Sequence, residues 1–148
     1  MNIEFDPKHA HVMGGNCTVG KIAGLLAKLK SFSLIERYEI YSELYRDYWA
    51  TDAGYVLLPE LSKNLIAIED VIDFELAVVL GSIQISASDD PGLGLFEPIV
   101  APCLKKECFV KTIDLLEQGT HFCGPNLPAE QREFLIAELH SKILAQGE

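Results

Sequence analysis

Apolar residues along this chain recur at helical spacing in nearly every segment longer than a turn. Val19, Ile22, Ala23, Leu25, Leu26 and Leu29 follow the i, i+3, i+4, i+7 rule and predict a first helix running to about Lys30. Asn16 or Thr18 is placed to cap it, and Lys28 and Lys30 fall in its last turn, where cations favour the negative end of the helix dipole. After the break Ser31-Phe32-Ser33, Ser33 and Glu36 form a capping-box pattern that opens a second helix over about Leu34–Trp49. Thr51-Asp52 is the next break. The third helix spans about Ala53–Leu65, with Pro59 either kinking it or marking its first turn. A fourth runs over Glu69–Ala87, carrying Val71, Ile72, Leu76, Val79, Leu80 and Ile83 at helical spacing.

Ser88–Gly94 is the strongest breaker run in the chain. A fifth helical stretch goes from about Pro98 to Gln118, with a possible kink at Pro102 and Gly119 as its C-terminal cap. Thr120–Leu127 reads as a loop. Pro128 suits the first position of a last helix that ends near Ala145. No segment alternates with period two for long. Residues 1–15 have no clear period and read as an N-terminal arm. The expected fold is therefore all-α: one domain over 1–148, with six helices as about three antiparallel pairs in a HEAT-like α-solenoid.

Composition adds little to the fold and more to function. The 148 residues are 49% hydrophobic and 23% charged, as in an ordinary globular domain. The net charge of -10 disfavours nucleic acid and anionic membrane surfaces, which are bound through Lys and Arg, and points to a basic protein partner. The start of the chain lacks a basic region followed by an apolar one, and no stretch approaches a membrane-spanning length. A cytoplasmic protein with reduced thiols at Cys17, Cys103, Cys108 and Cys123 is expected.

The second helix carries the candidate site. Leu34, Tyr38, Tyr41, Tyr45, Tyr48 and Trp49 fall on one side; Glu36, Glu39, Glu43 and Asp47 fall on the other as one acidic ridge. Like charges at this spacing cost a few tenths of a kcal/mol per pair, so the ridge is either a solvated outer face or a docking strip for basic residues. The aromatic stripe reads as the buried side. Asp52 and a second cluster of Glu69, Asp70, Asp73 and Glu75 suggest that one edge of the solenoid is strongly negative, with Asp52 and Asp73 joining the ridge as partner-binding candidates. Part of that cluster is also what a helix N-terminus favours.

Other chemistry is weakly supported. Cys103-x4-Cys108 does not put both thiols on one helical face, and His121-x-Cys123 is loose for zinc, so no metal and no cofactor is expected. Cys17 with His9 or His11, or Asp52 with Glu60, would be the pieces of a small enzyme. Gly15 and Gly20-Lys21 have the separation of a phosphate loop, but Ile22 stands where Ser or Thr is required.

From His11 to Leu61 the chain resembles a family of bacterial HEAT-like proteins. The matching pieces are the small-residue turn Gly14-Gly15, the helix around Leu25–Leu29, Arg37 and Leu44, then Ala53 and Leu58-Pro59-Glu60-Leu61. Asp47-Tyr48-Trp49 stands where that family often carries His-Gln-Gly. The resemblance implies a protein-binding module, of which several resemble immunity proteins that neutralise a cognate toxin. A non-enzymatic immunity protein is thus the leading expectation, with a scaffold or adaptor, or a small Cys/His or carboxylate enzyme, as alternatives.

Overall fold

The computed structural model describes residues 5–14, 17–28, 31, 33, 35–36, 39–40, 43–44, 51–67, 74–90, 93–118 and 129–146. These residues are mostly helical. The chain enters through a 3-10 turn at Pro7–His9, then a two-residue antiparallel ladder of β1 (Met13–Gly14) and β2 (Cys17–Thr18), with Met13 opposite Thr18. The stretch expected as an arm is therefore partly built into the fold, and Phe5 and Val12 pack against the core. Helix α1 (Val19–Ala27) follows directly. Thr18 caps it by accepting the Lys21 N–H at 3.2 Å, which selects Thr18 between the two expected capping residues.

Ser33 and Glu36 form the expected capping box: Ser33 N–H donates to Glu36 Oε1 at 3.1 Å, and Glu36 N–H to Ser33 Oγ at 3.2 Å. Helical residues follow at 35–36, 39–40 and 43–44. Helix α2 (Asp52–Ala67) holds Pro59 in its interior rather than in its first turn. Helix α3 (Phe74–Asp89) comes next. A left-handed glycine, Gly94 at φ +52°, begins the 3-10 turn Gly94–Phe96, which leads into the short helix α4 (Glu97–Val100). The kink anticipated at Pro102 is a full break. A 3-10 turn at Ala101–Leu104 ends in extended backbone at Lys105 (φ -80°, ψ 156°), after which α5 (Lys106–Gln118) starts afresh. Helix α6 is Ala129–Gln146. The expected caps at Gly119 and Pro128 lie outside the described residues.

Helix α3 lies at the centre. One side of it, with Val79, Leu80, Ile83 and Ala87, joins Ile22, Leu26, Leu57, Leu58 and Leu61. Its other side, with Ala77 and Val78, joins Phe109, Ile113, Leu116, Leu135 and Leu139. A helix apolar all round is one buried all round. Gly81 faces α5 and α6: a Cβ there would sit at van der Waals contact, 3.4 Å from the Thr112 Cγ2 and 3.6 Å from a Leu139 methyl. Gln84, which interrupts the apolar run in sequence, is wholly buried and bonded at both ends. Its Nε2 donates to the Cys103 carbonyl at 3.1 Å, and its Oε1 accepts the Thr112 hydroxyl at 2.7 Å. It thereby ties α3 to the break before α5.

Helix α3 packs about equally on α2, α5 and α6, and α5 packs most extensively on α6. The Tyr55 hydroxyl, in the first turn of α2, donates to Asp90 Oδ2 at 3.0 Å just past the end of α3. Beside it, Lys142 of α6 pairs with Asp89, and Gln146 near the end of α6 donates to the Leu104 carbonyl before α5. Among the described residues, no helix is long and apolar enough to cross a membrane.

Candidate functional site

The acidic segment at 35–44 owes its orientation to Ile40 and Leu44. Spaced i, i+4, they stand on one face and are buried in the core that α1 and α2 share. This anchors the segment and sets which side it turns outward. Ile35 is 72% exposed, and Glu36 and Glu39 are exposed with it. Ile35 is one of several exposed large apolar residues, with Leu95, Leu144 and Phe134, and is flanked here by two carboxylates.

The four ridge residues have separate environments. The Glu36 carboxylate accepts the Ser33 N–H, so part of its hydrogen-bonding capacity is used in capping. Glu39 is exposed. Glu43 is half-buried, its Oε1 accepting the Cys17 thiol at 2.6 Å, which joins the segment to the β2 strand. Asp47 lies outside the described residues, as do Asp73, Glu69, Asp70 and the aromatic residues Tyr38, Tyr41, Tyr45, Tyr48 and Trp49. Asp52 is exposed in the first turn of α2, where its charge complements the helix dipole; Thr51 Oγ1 accepts the Gly54 N–H at 3.4 Å beside it.

Of the alternative chemistries, the carboxylate pair is separated. Asp52 and Glu60 stand eight residues apart on α2, about 12 Å along the axis at the usual helical rise, too far to share a proton or a water. The His9 ring lies tilted against Phe96, centroids 5.8 Å apart. Cys103 is buried in the 3-10 turn. Burial, with a smaller contribution from nearby Cys108, pushes its thiol from 9.0 up to about 11, so it is a protonated thiol at neutral pH. The Cys108 thiol donates to the Pro102 carbonyl at 3.3 Å. His121 and Cys123 lie outside the described residues, and among the described residues no group of three or more His, Cys, Asp or Glu is placed to hold a metal. Gly20 and Lys21 sit inside α1; contrary to expectation a two-residue strand, β1, ends just ahead of Gly15, while β2 falls within the near-match to a phosphate loop and Ile22 still stands where Ser or Thr is required.

Two features of the site escaped the sequence pattern. Ile40 and Leu44 are buried residues of the second helix that the sequence reading did not single out. The Cys17–Glu43 contact joins residues 26 apart in the chain and carries no local signal. No protein-family model, curated protein or solved structure matches this chain.

Proposed function

We propose that this chain is a non-enzymatic protein-binding module of the immunity type, which neutralises a cognate bacterial toxin by laying its acidic side over a basic surface of that toxin. The observation that carries the reading is the exposed Ile35 with Glu36 and Glu39, on a segment fixed from behind by Ile40 and Leu44. A rigid patch loses little conformational entropy on docking, Ile35 supplies an apolar anchor, and the carboxylates select and steer a cationic partner. Asp52 is a further exposed carboxylate, Asp47 and Asp73 are candidates from the sequence alone, and Glu43 contributes from its half-buried place beside Cys17. The chain's net charge of -10 adds long-range attraction for a basic partner.

The HEAT-like solenoid of antiparallel pairs belongs to the same proposal. It is supported by the packing of α2 on α3 and of α5 on α6, and by the two end-to-start hydrogen bonds, Tyr55 to Asp90 and Gln146 to Leu104. A cytoplasmic location is likewise part of the proposal.

The test is capture of a partner from bacterial lysate at low salt, followed by co-expression. The expected partner is basic and toxic when expressed alone, and this chain relieves that toxicity. Reversing Glu36 and Glu39 to Lys should slow association by about tenfold at low salt, with the difference shrinking as salt rises. A captured toxin that binds the reversed variant at an unchanged rate overturns the acidic-side mechanism. A partner whose activity this chain leaves untouched overturns the immunity reading.

A further inference from the structure

Away from the acidic segment, the 3-10 turn at Pro7–His9, helix α2 and the Leu95–Ile99 stretch enclose an open cleft of about 460 Å³. That volume lies within the range of small-ligand sites. Two of its walls are wholly apolar: Val56 and Pro59 from α2, and Leu95, Pro98 and Ile99 from the facing stretch. Leu95 stands 90% exposed at its edge. Phe5 adds a third apolar surface, itself packed against the core.

All the charged and polar lining side chains come from one side. They are Asp6, Lys8 and His9, adjacent in the turn. Asp6 is largely occupied: Oδ1 accepts the Lys8 N–H at 3.1 Å, capping the turn, and Oδ2 is 3.5 Å from the Lys8 ammonium. What this side offers a ligand is the Lys8 ammonium, which keeps N–H donors beyond its one contact with Asp6, and the imidazole of His9, whose ring lies tilted against Phe96.

We propose that this cleft binds a small amphipathic monoanion: an apolar body of roughly eight to fifteen heavy atoms bearing one carboxylate. The carboxylate lies at Lys8 and His9, and the apolar body covers Val56, Pro59 and Leu95. A sugar or nucleotide is disfavoured, because its hydroxyls and base edges would face two walls without polar side chains and lose their water partners unrepaid. The inference does not rest on the toxin-binding reading, since no cleft residue belongs to the 35–44 segment.

The experiment is an amide-resolved NMR titration of the full chain with octanoate and, separately, octan-1-ol. Octanoate should shift the amides of Lys8, His9, Val56, Leu95 and Ile99 and bind at least about threefold tighter than octanol at low salt. Lys8→Gln should weaken octanoate by about two- to fivefold and leave octanol unchanged. Leu95→Glu, at an exposed position where folding is undisturbed, should weaken octanoate more than octanol by placing a like charge at the mouth. Glu39→Lys should leave octanoate binding within error, which separates this site from the acidic side. Equal affinity for octanoate and octanol, shifts centred elsewhere, or no saturable binding up to about 10 mM would each overturn the proposal.

Discussion

Replacing Thr112 by Val tests the buried junction between α3 and α5 directly. Valine keeps the Thr112 methyl that packs near Gly81 and removes only the hydroxyl. That hydroxyl is 2.7 Å from Gln84 Oε1, and Gln84 has no exposed surface, so no water can replace the lost donor. The incoming methyl also cannot approach an oxygen at that distance. Leaving a buried amide oxygen unpaired costs about 1–3 kcal/mol, and Thr112→Val should destabilise the protein by that amount. Gln84→Met should cost a similar amount for a different reason: it strips the Cys103 carbonyl of its 3.1 Å donor. In the Gln84→Met background the Thr112 hydroxyl has only the Cys108 carbonyl, at 3.0 Å within its own helix, and that bond adds little to helix stability. Thr112→Val should then be nearly neutral, giving a coupling energy of about 1–2 kcal/mol. Urea unfolding of the four proteins, followed by circular dichroism, measures each term at a common slope. Thr112→Val costs that agree within about 0.3 kcal/mol in the two backgrounds would refute the claim that these side chains act as a pair.

Burial and exposure along α6 make a second contrast: Leu139→Ala, fully buried, should cost about 2–5 kcal/mol, while Leu144→Ala, 73% exposed, should stay within about 0.5 kcal/mol by the same urea assay. Ser33→Ala should cost about 1 kcal/mol by opening the capping box, and Ser33→Gly less. Burial raises the Tyr55 phenol above 10.0; the Ser86 hydroxyl opposes the rise, and Asp90 and then Asp52 add to it. The neutral phenol is thus favoured by folding, and its contribution is whole below pH 10.0 and lost as pH rises through the folded value. In an alkaline absorbance titration, Tyr55→Phe should remove a component that titrates above 10.0. Cys103, held protonated up to about 11, should resist iodoacetamide at about pH 8 while half-exposed Cys108 is alkylated, as read by peptide mass spectrometry.

The chain's helices were legible because each is announced locally. Thr18, the Ser33–Glu36 box and the period of Val19, Ile22 and Leu26 act within a few residues, so a pattern read along the chain finds them. The candidate site was legible in part. The exposed carboxylates Glu36, Glu39 and Asp52 follow from spacing alone, whereas the half-buried place of Glu43 depends on Cys17 arriving from the β-ladder. The Lys8–His9 cleft had no sequence signal at all, because its walls come from three stretches separated by tens of residues.

What the sequence determined by itself is therefore the helical character of most segments and their apolar content, though not the break at Ala101–Lys105. Hydrogen bonds and side-chain periods inside a helix close over three or four residues and need no partner from elsewhere. Only the tertiary structure decided that α3 is enclosed on both sides. Its apolar residues point all round, so no single face announces a neighbour, and Gly81 lets the α5 and α6 side chains come in close. Only the tertiary structure, too, turned Gln84 from an apparent interruption of an apolar run into the buried tie between α3 and the break before α5. A polar group can be buried where partners await it, and those partners, Cys103 and Thr112, lie 19 and 28 residues away.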